Sequence, residues 1–280
     1  MVNLEKNNNV LAKSDRRRKQ FKKDWIALSS LSMRSIRTQY RNSFLGVLWT
    51  LLNPLLNMFV LSFVFSKIFG RQNPLLDYPV YILSGNIVFN LMRTATSTGM
   101  TSIVGQRDLI NKTKLNLFIF PASKVMSALV NYGFSMLALI LVMLVRVLMG
   151  AKVAFHWTLL LSIAPFLPAL LAFSLGLALI LSVIYVYFRD ISHFYTVFLT
   201  LWMYATPLFY TLENLNLSDK ELFIMRLNPM YHFVTYYRDL IMGVIPSAGA
   251  NLMIYAWGLG MLAVGFLVFR AKRNKLILHL

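Results

Sequence analysis

Residues 158–188 read TLLLSIAPFLPALLAFSLGLALILSVIYVYF, thirty-one positions without one Asp, Glu, Lys or Arg. A bilayer core of about 30 Å takes about 20 helical residues, so a run of this length and polarity has lipid as its natural solvent. Six segments qualify as spans on this reading: Phe44–Ile68, Val80–Val104, Pro121–Met149, Thr158–Phe188, Ile191–Tyr210 and Ala250–Phe269. The third and fourth exceed the required length, which predicts tilt or bending, and Pro165 and Pro168 are expected to kink the fourth. The chain is 58% hydrophobic and 14% charged over 280 residues, where a soluble domain carries about 25% charged residues.

The formal net charge is +18. In a soluble domain that excess would point to nucleic acid; here its placement decides otherwise. Residues 1–43 hold eleven basic and three acidic residues. The 105–120 loop holds Arg107, Lys112 and Lys114, with Lys124 just beyond, and the tail holds Arg270, Lys272, Arg273 and Lys275. The alternate connections are poorer: Arg71 in 69–79, Lys152 in 150–157, and a 211–249 segment whose basic residues are matched by Glu213, Asp219, Glu221 and Asp239. Basic loops stay inside, so the expectation is a multi-pass protein of the cell (inner) membrane with both termini cytoplasmic and no nucleic-acid partner. The N-terminus lacks the apolar core of a cleavable signal peptide. Cys is absent, which excludes thiol chemistry and disulfides.

Residues 34–56, RSIRTQYRNSFLGVLWTLLNPLL, set Arg34, Arg37 and Arg41 hard against an apolar run. Placed on a helix at about 100° per residue, Phe21, Trp25, Leu28 and Ile36 fall within roughly 80° of one another, with Tyr40 at the edge. Lys23, Arg34, Arg37 and Arg41 gather on the opposite side. This predicts an amphipathic helix lying at the membrane interface over 21–42, its wet face turned to anionic headgroups or to a cytosolic partner, behind a basic tail at 1–20.

Several chemistries are missing. No Gly is followed by Lys, so there is no P-loop to cradle ATP. His156, His193, His232 and His279 are scattered, which makes a metal site improbable. The ten acidic residues lie outside the spans or at their edges, whereas ion-coupled carriers place carboxylates at mid-membrane. If the chain moves cargo, the energy comes from another polypeptide.

Four features invite a role. Arg93 lies near the middle of the second span with no acidic partner in any span; it either faces a cavity and an anionic headgroup or diphosphate, or it bonds carbonyls or snorkels inward. Arg146, near the outer end of its span, is expected to snorkel. Aromatic crowding over 185–210 puts Trp202 and Tyr204 at depth, where rings either pack or line a tunnel for sugars. The turns at 105–120 and at Arg189–Asp190 are either solvated connections or the places where a motor pushes. In 211–249, Ser218 and Glu221 form a capping-box pattern ahead of one helix, and Gly243 stops a second; the pair is either an outer cap or a surface hairpin.

The order of these pieces resembles the membrane subunit of ABC-2 type transporters, in the branch that exports O-antigen, capsule or teichoic-acid polymers. The resemblance rests on RTQYRNSFLGVLWTLLNPLL at 37–56, VYILSGNIVFN at 80–90, YFRDISHFYTVFLTLWMYATPLFY at 187–210 and LNPMYHFVTYYRDLIMG at 227–243, and spans about 21–275. It implies an all-α, six-span permease domain over 43–275 preceded by an interface helix that carries Trp25, Arg34, Arg37 and Arg41. It implies a homodimer bound to two P-loop subunits that hold ATP and Mg, with no cofactor, metal or catalytic residue on this chain. The coupling segments would be 105–120, with Gln106, Arg107, Asp108, Leu109 and Ile110, and 188–192, with Arg189 and Asp190. A channel for a lipid-linked glycan would involve Trp49, Phe89, Arg93, Trp202, Tyr204 and Phe209. An outer gate over 211–249 would use Leu222, Met225, Tyr231 and Phe233. An acidic residue is common in that family near the position of Arg93, so a basic one there is a departure. The alternatives are an ABC-2 permease for a small hydrophobic molecule or drug and, in another class, a membrane-embedded enzyme of glycan assembly.

Overall fold

The structure, a computed structural model, describes residues 22–38, 48–68, 77–113, 115–151, 153–162, 164–211 and 218–276. Their regular elements are all helical. Helix α1 covers 22–38. There follow α2 (Leu48–Ile68), α3 (Tyr78–Thr101), a 3-10 turn (Val104–Gln106), α4 (Arg107–Lys112), α5 (Ile119–Leu148), a second 3-10 segment (Trp157–Ser162), α6 (Phe166–Tyr187), α7 (Ile191–Ala205), α8 (Asp219–Arg226), α9 (Pro229–Ile241) and α10 (Ala248–Leu276).

Helices α5, α3, α6 and α10 pack side by side in that order, and α2 leans on α3 and α5. Where lipid surrounds a bundle, tail-like side chains gain nothing by leaving it, so close packing has to hold the helices. Glycine provides it at the α6–α10 seam. A Cβ on Gly176 would run into the backbone of Met261, one on Gly265 into the backbone of Gly176, and one on Gly258 into the carbonyl oxygen of Ala169 at 2.5 Å. The two backbones therefore touch. Helix α3 approaches α6 the same way, with Gly99 against Ala178.

Two clusters of buried side chains mark the ends of the bundle. At one end, here the base, Ile103, Leu117, Phe120, Val186, Phe269 and Leu276 meet, and Leu31 of α1 and Leu109 and Ile110 of α4 pack on them. The larger cluster fills the rest and reaches the other end, the crown, where Phe166, Phe173, Phe233 and Tyr237 pack together with α9.

Among the described residues, three stretches are long and apolar enough to cross a membrane: α5, Trp157–Tyr187 and α10. Helix α2 (Leu48–Ile68) holds the described part of the first expected span. The others depart for identifiable reasons. Asn86, Asn90, Arg93 and several hydroxyls dilute α3. The fourth span is interrupted rather than kinked: α6 begins after Pro165, with Pro168 in its first turn, where a missing N–H costs nothing. The sixth runs on to Leu276, beyond Phe269, because Arg and Lys are good helix formers and their charge suits a C-terminus.

The fifth expected span, Ile191–Tyr210, is helical only to Ala205. Pro207 disfavours helical geometry at Thr206 and offers no N–H. Unpaired carbonyls away from water are costly, so irregular backbone at depth persists only where the protein satisfies it. Here it does. Arg238 donates to the carbonyls of Pro207 (2.7 Å) and Leu208 (3.0 Å), Tyr78 to that of Phe209 (2.9 Å) and Tyr81 to that of Tyr210 (2.7 Å). This elbow, residues 206–210, joins α3, α7 and α9 at the crown.

Candidate functional site

A polar cavity of about 480 Å³ opens among α2, α3, α5 and the elbow. Helix α2 supplies Asn53 and Asn57, four residues apart; α3 supplies Asn86, Asn90 and Arg93, at steps of four and three. Such spacing stacks side chains on one helix face, so two polar stripes line one space. Ser135 of α5, Tyr204 and Phe209 complete its polar and aromatic lining. Asn57 donates to the carbonyl of Asn53 (2.9 Å) and Asn86 to that of Ile82 (3.1 Å). Each amide keeps its oxygen and a second N–H for another partner. Arg93 brings the one charge among the lining residues. Amide donors and acceptors beside aromatic rings suit a neutral polyhydroxylated molecule, and Arg93 suits an anionic substituent on it.

A second cavity, of about 400 Å³, is lined by Met58, Phe59, Phe63, Pro79, Leu141 and neighbouring apolar groups. Its arginine, Arg146, is already engaged: Nη2 lies 2.6 Å from Asp77 Oδ2 and Nε 3.0 Å from Oδ1. Arg146 thus ties the end of α5 to the start of α3. Little there would orient a hydrophilic cargo.

The other channel candidates divide. Tyr204 and Phe209 line the polar cavity with Arg93. Trp49 stands one turn before Asn53 on α2, exposed and outside the lining. Phe89 and Trp202 do not face the cavity. Phe89 is buried at 1% exposure, edge-on to Trp202 at 6.4 Å. Trp202 donates Nε1–H to Asn228 Oδ1 at 2.7 Å. Asn228 in turn caps α9 by accepting from Met230 N–H and donates to Thr206 Oγ1. The deep indole is a structural strut between α7 and α9.

Of the gate residues, Leu222 and Met225 on α8 and Tyr231 on α9 are half-buried. Phe233 is fully buried against Phe166 and Phe173. The Ser218–Glu221 capping box is present: Ser218 N–H donates to Glu221 Oε2 at 2.8 Å. That bond holds the Glu221 carboxyl below the usual carboxylate range. Gly243, at φ 80°, ends α9 as expected.

In the 105–120 segment, Gln106 closes the 3-10 turn and α4 follows; Arg107 and Asp108 are exposed while Leu109 and Ile110 are half-buried on the basal cluster. Arg189 and Asp190 are exposed in the turn between α6 and α7. Both segments border the basal cluster, the first through Leu109 and Ile110 and the second through Tyr187. On α1, Trp25, Arg34 and Arg37 are exposed; Arg41 lies outside the described residues. The side of α1 that carries Ser32 and Ser35 docks on α5: Ser32 Oγ donates to the Ser123 carbonyl (3.2 Å), Ser127 Oγ to that of Ser32 (3.3 Å) and Lys124 Nζ to Ser35 Oγ (2.9 Å).

The asparagine stripes escaped the sequence reading, although Asn-x-x-x-Asn recurs in two apolar segments and helix period alone puts each pair on one face. Arg238 escaped it as well. No local pattern marks that arginine as the residue that satisfies the elbow.

The ABC-2 type transporter family profile matches residues 26–242. This chain belongs to the ABC-2 type transporter family. The ABC-2 chain is 30% identical over 250 residues to an O-antigen export system permease protein RfbA of Myxococcus xanthus, covering 89% of this chain and 93% of that one. It is 24% identical to a protein of the same name from Klebsiella pneumoniae, over 88% and 91% of the two chains. It is 24% identical to the polysialic acid transport protein KpsM of Escherichia coli, over 93% and 98%.

Proposed function

We propose that this ABC-2 chain is the permease subunit of an exporter that moves a lipid-linked cell-surface polysaccharide outward across the cytoplasmic membrane, driven by ATP hydrolysis on a separate subunit. The observation that carries the reading is the polar cavity: two asparagine stripes and an arginine line one cleft that opens between apolar helices. Polar side chains at membrane depth are expensive and tend to mark a substrate path. Amides are the groups that exchange hydrogen bonds with sugar hydroxyls as a chain slides. The relatives named for O-antigen export and polysialic acid transport support the cargo class.

On this reading the base faces the cytoplasm, because the excess Lys and Arg gathers there. The chain crosses six times, through α2, α3, α5, α6 with its 3-10 lead, α7 with the elbow, and α10. Helix α7, at 15 residues, stops short, and α8 and α9 fold back at the crown as an outer gate. Helix α1 lies along the inner leaflet. Exposed Phe59 and Phe63 on α2 and Phe194, Val197, Phe198 and Leu201 on α7 form the seam with a second copy. Two P-loop subunits dock on exposed Arg107, Asp108, Arg189 and Asp190, as no P-loop occurs in this sequence.

Co-expression with a P-loop ATPase, purification of the complex and reconstitution into vesicles tests this. ATP-dependent movement of a lipid-linked glycan into the lumen is expected, together with loss of coupling in Asp108→Lys and Asp190→Lys. ATP-driven movement of a small amphiphile with no movement of glycan would replace the cargo assignment, and failure to associate with any P-loop protein would overturn the whole reading.

A further inference from the structure

Another cavity, of about 450 Å³, lies at the base between α1, the end of α3 and the start of α5. We infer that it binds the phosphate or diphosphate ester of a lipid headgroup. Its walls bring together Arg34 of α1, Thr98 and Ser102 of α3, Gln106 of the 3-10 turn and Lys124 of α5, and no carboxylate lines it.

Two like charges share one polar space. Lys124 Nζ donates to the neutral hydroxyl of Ser35 at 2.9 Å, so two of its three N–H groups remain. Neither Lys124 nor the Arg34 guanidinium has a carboxylate partner among the described residues. Arginine presents its donors in a fixed fork that fits phosphate oxygens, and lysine acts as a point charge on them. Thr98 and Ser102 donate back to the Thr94 and Gly99 carbonyls of their own helix, which leaves recognition to the two cations and the Gln106 amide. An anion between the cations removes their mutual repulsion and completes their hydrogen bonds.

The site is held in place without ligand. The Ser32–Ser123 and Ser127–Ser32 bonds fix α1 on α5, so Arg34 and Lys124 stay together. Exposed Trp25, Ile26 and Met33 lie on the same helix. An interfacial α1 therefore sets the cavity at headgroup depth, with room for the attached chain in the bilayer. The depth rests on the permease reading above; the anion chemistry does not. Two sources of such a phosphate exist in a membrane, an isoprenoid diphosphate that carries a glycan and a bulk anionic phospholipid.

The purified chain in nanodiscs of phosphatidylcholine, titrated with farnesyl diphosphate and with farnesol, tests the inference without nucleotide or transport. Binding of the diphosphate and not of the alcohol is expected, with about a tenfold or greater loss in the Arg34→Gln/Lys124→Gln double variant from the missing charge-assisted bonds. Arg34→Gln alone, at an exposed side chain, serves if the double variant does not fold, and Lys124→Arg is expected to retain binding. Weaker diphosphate binding in wild-type nanodiscs containing phosphatidylglycerol assigns the site to bulk phospholipid; unchanged binding assigns it to the isoprenoid diphosphate. Equal affinity of the wild type and either Gln variant, or equal binding of farnesol, overturns the inference. Because no glycan takes part, that failure is distinct from failure of the polysaccharide reading.

Discussion

The guanidinium carbon of Arg238 lies 3.5 Å above the centre of the Tyr81 ring. The same group donates to the carbonyls of Pro207, Leu208 and Tyr81 itself. One side chain thus joins α9 to α3 and satisfies the break after α7. Gly85 makes room for it: a Cβ there would stand 2.8 Å from Arg238 Nη2.

Arg238→Met leaves the elbow carbonyls buried and unpaired. Each such group costs about 1–3 kcal/mol, so the variant is expected to lose several degrees of melting temperature in detergent and to accumulate poorly in membranes. Arg238→Lys is expected to rescue little, since a single ammonium replaces neither the fork nor the stacked plane. Wild-type melting of Arg238→Met would show that the elbow does not depend on this residue.

Gly258 and Gly260 lie two residues apart on α10 with opposite surroundings. A Cβ at Gly258 meets the Ala169 carbonyl oxygen at 2.5 Å, while nothing lies within 4 Å of one at Gly260. Gly258→Val is expected to force α6 and α10 apart at a cost of about 1–3 kcal/mol, the usual range for overpacking. Gly260→Ala, free of any contact, is expected to melt like wild type or slightly higher, because Gly disfavours helix. Equal behaviour of the two variants in thermal unfolding would refute the close seam.

Asn90→Leu and Arg93→Ala act on the polar cavity and not on the packed core. Asn90 is exposed and Arg93 half-buried, so both proteins are expected to assemble and melt like wild type. Glycan export by the reconstituted complex is expected to fall severalfold, as polar contacts worth about 1 kcal/mol each are lost along the path. Unchanged export in both would remove the cavity from the transport path.

The Glu221 carboxyl sits below its usual range because Ser218 N–H bonds it. A lowered native pKa makes the charged form the stabilising one. The contribution to α8 is therefore fully present above the ordinary glutamate pKa and is lost as pH falls through the lower native value. Amide protection of α8, taken relative to intrinsic exchange at each pH, is expected to fall in that acidic window and, in Glu221→Gln, to be low at neutral pH as well. Protection that does not change with pH would show the box to be idle.

Much of the architecture was written into local sequence. The uncharged run at 158–188, Ser218 with Glu221, and Gly243 each act through neighbours a few residues away, and each appears where its chemistry puts it. Side-chain partners were not legible in this way. Trp202 and Phe89 read as tunnel rings and prove to be packed against one another, while Arg146 meets Asp77 across 69 positions. An aromatic at membrane depth satisfies a core and a channel equally, and hydropathy has no term that separates them.

By itself the sequence determined the solvent of this chain, the helical class and the ends of most helices, because burial cost, capping and proline chemistry act within a turn or two. Tertiary structure alone decided which asparagines face one another, which carbonyls Arg238 satisfies and which cations share a pocket. Those outcomes depend on the rotation and approach of helices distant in sequence, fixed here by glycine contacts and buried hydrogen bonds that no local pattern encodes.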